Sequence, residues 1–315
     1  VSPKDLIPIA VFAAVAALLP VFVTAGTTLN FAVFTLIICL AAQGWNILGG
    51  YGGGYSFGHA AFFGTAAYMT SILQVRYGLN PYPGFALGIA AAAAVGWVIG
   101  FLSFRSGLRG SYFALVTLAF AEVFRVVANA ADITGGAAGL LITLDVRPGN
   151  FQFASRATFY WVALGLVTAA LVITRALERS RLGAQLVAVR ENENAARALG
   201  VDVLSVKLSA ITLSAAITGA AGALYAQYFL YLDANIAYGT WISVEALLAP
   251  IIGGAGTVFG PVLGGVVLHG LSEFTKSLVG TIPGVDLVIF GILLILVVRF
   301  PPRDIPGLLR RWRSR

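Results

Sequence analysis

Two glycine clusters, "GGYGGGYSFG" at 49–58 and "GGAGTVFG" at 253–260, interrupt long apolar runs, and His59 directly follows the first. Glycine at this density either cradles a phosphate with bare backbone N–H groups or lets the chain break and pack where side chains do not fit. A P-loop needs G-x-x-x-x-G-K-[ST], because its lysine neutralises phosphate and its hydroxyl holds magnesium. Neither cluster runs into Gly-Lys, and neither contains G-x-G-x-x-G, so no nucleotide-binding motif is visible. Two membrane readings are left. In one, the G-x-x-x-G pairs Gly54/Gly58, Gly256/Gly260 and Gly260/Gly264 let helix backbones touch. In the other, broken helices border a solute path along Asn46, Tyr51, Gly52, Gly53, Gly54, Ser56, His59, Gly253, Gly254 and Gly256.

The titratable residues narrow the chemistry. His59 is read as an interhelical hydrogen-bonder or as a transport group, since a polar side chain in hydrocarbon needs a partner. Ser56 beside it suggests a nucleophile and base, but no acid supports the pair. His269 stands alone, so no histidine metal site is expected. Glu122 and Arg125 are spaced i, i+3 on one helix face and read as a structural ion pair. A lone charge at mid-membrane costs roughly 2.5–3.5 kcal/mol, which pairing lowers. An ion-coupled transporter would group carboxylates mid-span. Only Glu122 lies there, while Glu245, Glu273 and Asp286 are placed near the outer ends of spans.

These residues need a scaffold, and composition names it. The chain is 59% hydrophobic and 10% charged, against about 45–50% and 25% in soluble domains. That excludes a soluble fold and implies an all-α polytopic membrane protein. Spans are expected at 6–24, 29–48, 57–74, 84–104, 111–129, 158–177 and 206–230. A glycine-broken hairpin follows, with short limbs at 243–254 and 258–272, and a last span at 285–300. This gives about eight full spans plus the hairpin, ten helices if both limbs are counted. The first span reads as retained, although "VTAG" at 23–26 has a cleavage-site look. The single cysteine, Cys39, excludes an intrachain disulfide and a cysteine metal cluster.

Placing residues 178–203 in the cytoplasm puts both termini and the 105–110 loop there too. Only Arg76, Arg125, Arg147, Arg156 and Lys276 then fall elsewhere, as the positive-inside rule requires. The net charge of +7 is thereby explained by topology and anionic membrane lipid, with no nucleic acid involved. Superimposing Phe57-Gly58 on Phe259-Gly260 makes 6–104 and 206–300 a candidate parallel repeat; chance similarity of glycine-rich spans is the alternative. Residues 178–203 alternate apolar and charged residues at helical spacing, with Gly200 as a stop. Two short surface helices joined near Asn192–Asn194 fit, seeking the membrane interface or a partner groove.

The chain resembles the permease subunits of ABC importers for branched-chain amino acids, of the M (LivM-like) type. The resemblance is carried by "NILGGYGGGYSFGHAAFFGTAAY" at 46–68, "LRGSYFALVTLAFAEVFR" at 108–125 and "TGGAAGL" at 134–140. It continues through "AVRENENAARALGVDVLSVKLSAITLSAAITGAAGALYA" at 188–226 and "IIGGAGTVFGPVLGG" at 251–265. It implies a non-catalytic half of a translocation pathway for branched-chain or other hydrophobic amino acids, with urea or short amides as the alternative cargo. Implied partners are an H-type permease, two cytosolic ATPase subunits carrying ATP and Mg, and an external solute-binding protein, in a bacterial inner membrane. By the same resemblance "ENAARALG" at 193–200 docks the ATPase, with Glu193, Ala195, Ala196, Arg197 and Gly200 in the coupling pattern. The chain departs from the family in "GYGGGYSFG", which is richer in glycine and aromatics than expected.

Overall fold

The computed structural model describes residues 3–23 and 25–279, together with 288, 291, 292 and 295. Most of the last expected span, with Asp286, lies outside the described residues. The helices are α1 (Pro3–Ala17), α2 (Leu19–Phe22), α3 (Gly26–Trp45), α4 (His59–Tyr77), α5 (Pro81–Arg105), α6 (Gly110–Ala130) and α7 (Arg156–Glu178). They continue as α8 (Arg181–Glu191), α9 (Glu193–Ala198), α10 (Val203–Phe229), α11 (Ala234–Ala237), α12 (Thr240–Gly253) and α13 (Gly260–Val279). Side-chain caps set many of the starts: Asn80, Ser155, Ser180, Asn192, Asp202 and Asp233 each accept a bond from the first turn of the helix that follows.

Seven helical segments among the described residues are long and apolar enough to cross a bilayer. The expected span at 57–74 forms as α4 but is not among them, for a physical reason. α4 is the central helix, packed against α5, α10, α12 and α6, so it needs little lipid-facing apolar surface. Its Thr65, Thr70 and Ser71 hydroxyls bond to carbonyls one turn back in the same helix. Lipid supplies no hydrophobic drive between helices, so close approach must hold them together. A Cβ on Gly222 of α10 would sit 2.0 Å from the Phe63 carbonyl oxygen, and one on Gly88 of α5 2.8 Å from that of Ala66. The backbones of α10, α4 and α5 touch at these points.

The bundle has two distinct ends. Both glycine clusters turn the chain at one end, the first between α3 and α4, the second between α12 and α13. Asp5 of α1 bonds Arg175 and Arg179 there, at 2.5 and 2.8 Å, so α1 begins at the glycine-turn end. At the opposite end Asn80 and Tyr82 donate to the carbonyls of Gly149 and Pro148, at 2.9 and 2.8 Å. A short antiparallel pair not expected from the sequence, β1 (Leu140–Leu141) with β2 (Tyr231–Leu232), closes that end. Gly139, at φ 76°, seats β1: a Cβ there would lie 2.5 Å from the Leu232 carbonyl oxygen.

From β2 the chain descends into the bundle. The Ala237 carbonyl reaches Gly64, and Tyr238 stacks on Tyr68 at 5.7 Å. α12 therefore starts inside the bundle. Its 14 residues span about 21 Å, short of the ~30 Å hydrocarbon core, and only together with α11, over Ala234–Gly253, does the segment reach spanning length. The other limb departs from expectation: α13 runs 20 residues to Val279 instead of stopping at 272.

Candidate functional site

The two glycine clusters meet. After Trp45, α3 widens into a π-helical turn, Asn46–Tyr51, a feature often found at functional sites. Asn46, fully buried, clamps the second cluster from this turn. Its Nδ2 donates to the Thr257 carbonyl at 2.9 Å, and its Oδ1 accepts from the Gly256 amide at 2.8 Å. One turn earlier, Gln43 donates to the Val258 carbonyl at 2.7 Å and accepts from Thr174 at 3.3 Å. Glycine is required for this fit: a Cβ on Gly50 would lie 2.1 Å from Asn46 Oδ1 and 2.4 Å from the Gly256 amide nitrogen. Gly256 itself turns at φ 75°, where other residues are strained. Gln43 did not stand out in the sequence, although its i, i+3 spacing from Asn46 in an apolar run was the available signal.

Between the clusters and the surface helices lies a second contact. Arg190 of α8 donates to the Gly50 carbonyl at 2.8 Å, and Leu186 packs near Gly52. Gly52, Gly53 and Gly54 line a cavity of about 200 Å³ at this end, together with Arg109, Arg190, Glu193 and Lys207. Glu193 is the hub of these charges, bonding Arg109 and Arg197 at 3.0 Å and Lys207 at 2.8 Å. It thus ties α9 to α10 and to the α5–α6 loop. Burial pushes its carboxyl up, but the Lys207 hydrogen bond, with the charges of Lys207, Arg109 and Arg197, more than offsets this and holds it below the ordinary 4.5.

A pH dependence follows from that depressed value. The hub is intact above pH 4.5, the ordinary value, and is lost as pH falls through the lower folded value. A nitroxide on Ala195→Cys should therefore be immobile at pH 7 and gain mobility only in strong acid, whereas Glu193→Gln should mobilise it at pH 7. Cys39, fully buried, leaves the label site-specific. Equal mobility in both proteins at pH 7 would remove Glu193 from this role.

The two surface helices expected over 178–203 are present as α8 and α9, hinged at Asn192. Their apolar residues do not form one stripe, however. Leu186, Val189 and Ala196 are buried against the bundle, while Ala195 is exposed and Leu199 is 85% exposed. Within the coupling pattern, Glu193 and Ala196 thus hold the segment to its own chain, and Ala195, Arg197, Leu199 and Gly200 face outward.

Asn46, Tyr51, Ser56 and His59, placed along a solute path by sequence, are all buried. His59 Nε2 meets Ser214 Oγ at 2.8 Å, bridging α4 to α10. Ser56 Oγ accepts from the Gly58 amide at 3.1 Å, so Ser56 and His59 are each engaged elsewhere. Of the G-x-x-x-G residues, Gly58, Gly256, Gly260 and Gly264 lie against backbone, of Thr117, Gly50, Gly254 and Ala249 respectively. Gly54 instead sits in a non-helical stretch, mainly against the Leu48 side chain.

One acidic residue differs from expectation. Glu245 is not at an outer end; it lies in α12 inside the bundle, 3.5 Å from His269 of α13, so His269 is not alone. Glu122 and Arg125 form the expected ion pair at 2.5 Å. The pair is nevertheless open, with side chains 48% and 31% exposed, and Arg125 also donates to Asn235 at 2.7 Å. Among the described residues no cluster of metal-ligating side chains occurs.

Comparison with known proteins agrees with this architecture. Residues 27–298 match the family described as "Branched-chain amino acid transport system / permease component". The LivM high-affinity branched-chain amino acid permease protein of Escherichia coli K12 is 30% identical over 308 residues, covering 90% of this chain and 71% of LivM. The BraD permease protein of Pseudomonas aeruginosa is 26% identical over 85% of this chain and 91% of its own. E. coli LivH is 26% identical over 85% and 90%. No solved structure matches the chain. A multi-pass bundle built on these glycine turns, matched over nearly its whole length, belongs to the family of branched-chain amino acid transport permease components and is LivM-like.

Proposed function

We propose that this chain is one of two permease subunits of an ABC importer in a bacterial inner membrane, carrying branched-chain or other apolar amino acids. α8 and α9 face the cytoplasm with both termini. ATP and Mg bind on two separate ATPase subunits, an H-type permease supplies the other half of the pathway, and an external binding protein selects the cargo. The chain itself catalyses nothing.

The observation that carries this reading is the linkage from an exposed apolar knob to the glycine junction. Leu199 projects from a segment pinned by the Glu193 hub, and Arg190 of the adjoining α8 bonds the Gly50 carbonyl. A partner gripping Leu199 and Ala195 would move α9 and α8 together. Arg190 and Leu186 would then displace the Gly50–Gly53 turn, and with it the Asn46 clamp between α3 and α12. ATP binding on the partner thereby biases the pore between two arrangements by its differential affinity for them. The glycine turns border the inner mouth of the path in this scheme.

Leu199→Asp tests it. In proteoliposomes holding both permeases, both ATPases and the binding protein, the variant should lose at least tenfold of ATP-driven leucine uptake, while the amount of inserted chain is unchanged. Uptake at the wild-type rate would remove the coupling role. Leucine uptake by this chain alone, without nucleotide or companions, would overturn the importer reading.

A further inference from the structure

We infer that the Glu122–Arg125 pair, with Asn235, is a cargo-binding site for the ammonium and carboxylate of an α-amino acid; this rests on the reading of the chain as an amino-acid permease. Two independent features point to it. First, the pair lies within α6, beside Phe124, which stacks on Tyr238 in the bundle interior at 5.9 Å. It is nonetheless exposed on the side of α6 turned away from the chain's own core. Even a paired charge is costly against hydrocarbon, and such groups face a bundle interior or a water-filled cavity, so we read this face as bordering water or a polar occupant. Second, the neighbouring segment from β2 to α12 holds only the single turn α11 between two breaks in regular backbone, at Asp233 and at Tyr238–Gly239, and it too exposes polar groups, Asn235 and Thr240. Irregular backbone at that depth is tolerated where it is packed in protein or lines a wet cavity. The two elements therefore flank one aqueous face.

The chemistry of that face matches a zwitterion. Arg125 presents a guanidinium held by Glu122 and Asn235, and a planar guanidinium takes a carboxylate in two parallel bonds. Glu122, the more exposed partner, offers carboxylate oxygen to an ammonium. One turn along, Val126 is 54% exposed, with Val123 at 57% beside the pair, a surface for a branched aliphatic side chain. Fixed polarity distinguishes this site from a structural ion pair, which would work equally well either way round.

The test uses the full complex in proteoliposomes, reading labelled leucine uptake alongside ATP hydrolysis stimulated by the loaded binding protein. Arg125→Gln and Glu122→Gln should each cut uptake at least tenfold while stimulated hydrolysis stays within twofold. The swap Glu122→Arg with Arg125→Glu, which restores a pair of reversed polarity, should stay equally impaired. Recovery of the swap to within twofold of wild type, or normal uptake by the single variants, would make the pair structural and overturn the site. A measurement independent of charge loss uses Val126→Cys, whose alkylation should slow at least threefold under saturating leucine; unchanged alkylation also overturns it. A wild-type complex that moves no amino acid at all would overturn the permease reading instead, and this site with it.

Discussion

Gly264→Leu is expected to leave almost no folded protein, and even Gly264→Ala should be severely destabilised. A Cβ at 264 would lie 1.8 Å from the Ala249 carbonyl oxygen and 2.8 Å from the Gly253 amide nitrogen. Overpacking by a methylene or so commonly costs about 1–3 kcal/mol when side chains can shift. Here the obstacle is backbone of the facing limb, which cannot rotate away, so α12 and α13 must separate. That places the loss at or above the top of the range, a large part of a net stability of about 5–15 kcal/mol. The contrast is Gly165 in α7, where nothing lies within 4 Å and φ is ordinary. Gly165→Ala should be neutral or add up to about 1 kcal/mol through helix propensity. Monodisperse yield in detergent and the midpoint of thermal aggregation measure both. A Gly264→Ala protein as stable as Gly165→Ala would show that the two limbs are not in backbone contact.

The opposite fates of these two glycines mark what a sequence of this kind discloses. Span positions were legible because a bilayer imposes length and hydropathy on each helix separately. The hinge at Asn192 was legible for a similar local reason, an Asn cap followed by Glu and Ala. What could not be read was which glycine faces backbone and which faces lipid, because Gly165 and Gly264 sit in equally apolar surroundings. The burial of Leu186 and Ala196 against the exposure of Leu199 was hidden for the same reason. Helical spacing gives a face, and the partner of that face is decided by tertiary contacts from elsewhere in the chain. Glu193 was read as a docking residue, and its three cations come from α6's approach, α9 and α10. Glu122 and Arg125 show the reverse case. Their pairing followed from i, i+3 spacing alone, whereas their exposure depended on how lightly α6 leans on the bundle.

Asn46→Ala should disconnect the two glycine turns while leaving the helices inserted. The wild-type side chain closes two bonds to one neighbouring turn, to the Thr257 carbonyl and from the Gly256 amide, at a fully buried position. Truncation leaves a buried donor and a buried acceptor without partners, and each such group costs about 1–3 kcal/mol. The loss is local, because Gln43 still holds the Val258 carbonyl and Gly50 still lies against Gly256. Opening of the second turn should therefore become easier without global unfolding. Amide exchange at Gly256 should rise at least about 30-fold, a factor of ten for each ~1.4 kcal/mol of the roughly 2–6 kcal/mol lost. Amides of α5, which packs mainly on α4 and α10, should keep their protection. In the full complex, ATP hydrolysis should continue while leucine uptake falls at least tenfold, since movement of Arg190 against Gly50 would no longer carry α12 with it. Asn46→Asp separates the two bonds. It keeps the acceptor for Gly256 and loses the donor to Thr257, so it should be no better than alanine for uptake. If Gly256 exchanges at the wild-type rate in Asn46→Ala, backbone contact alone joins the turns and the clamp has no part in transmitting motion.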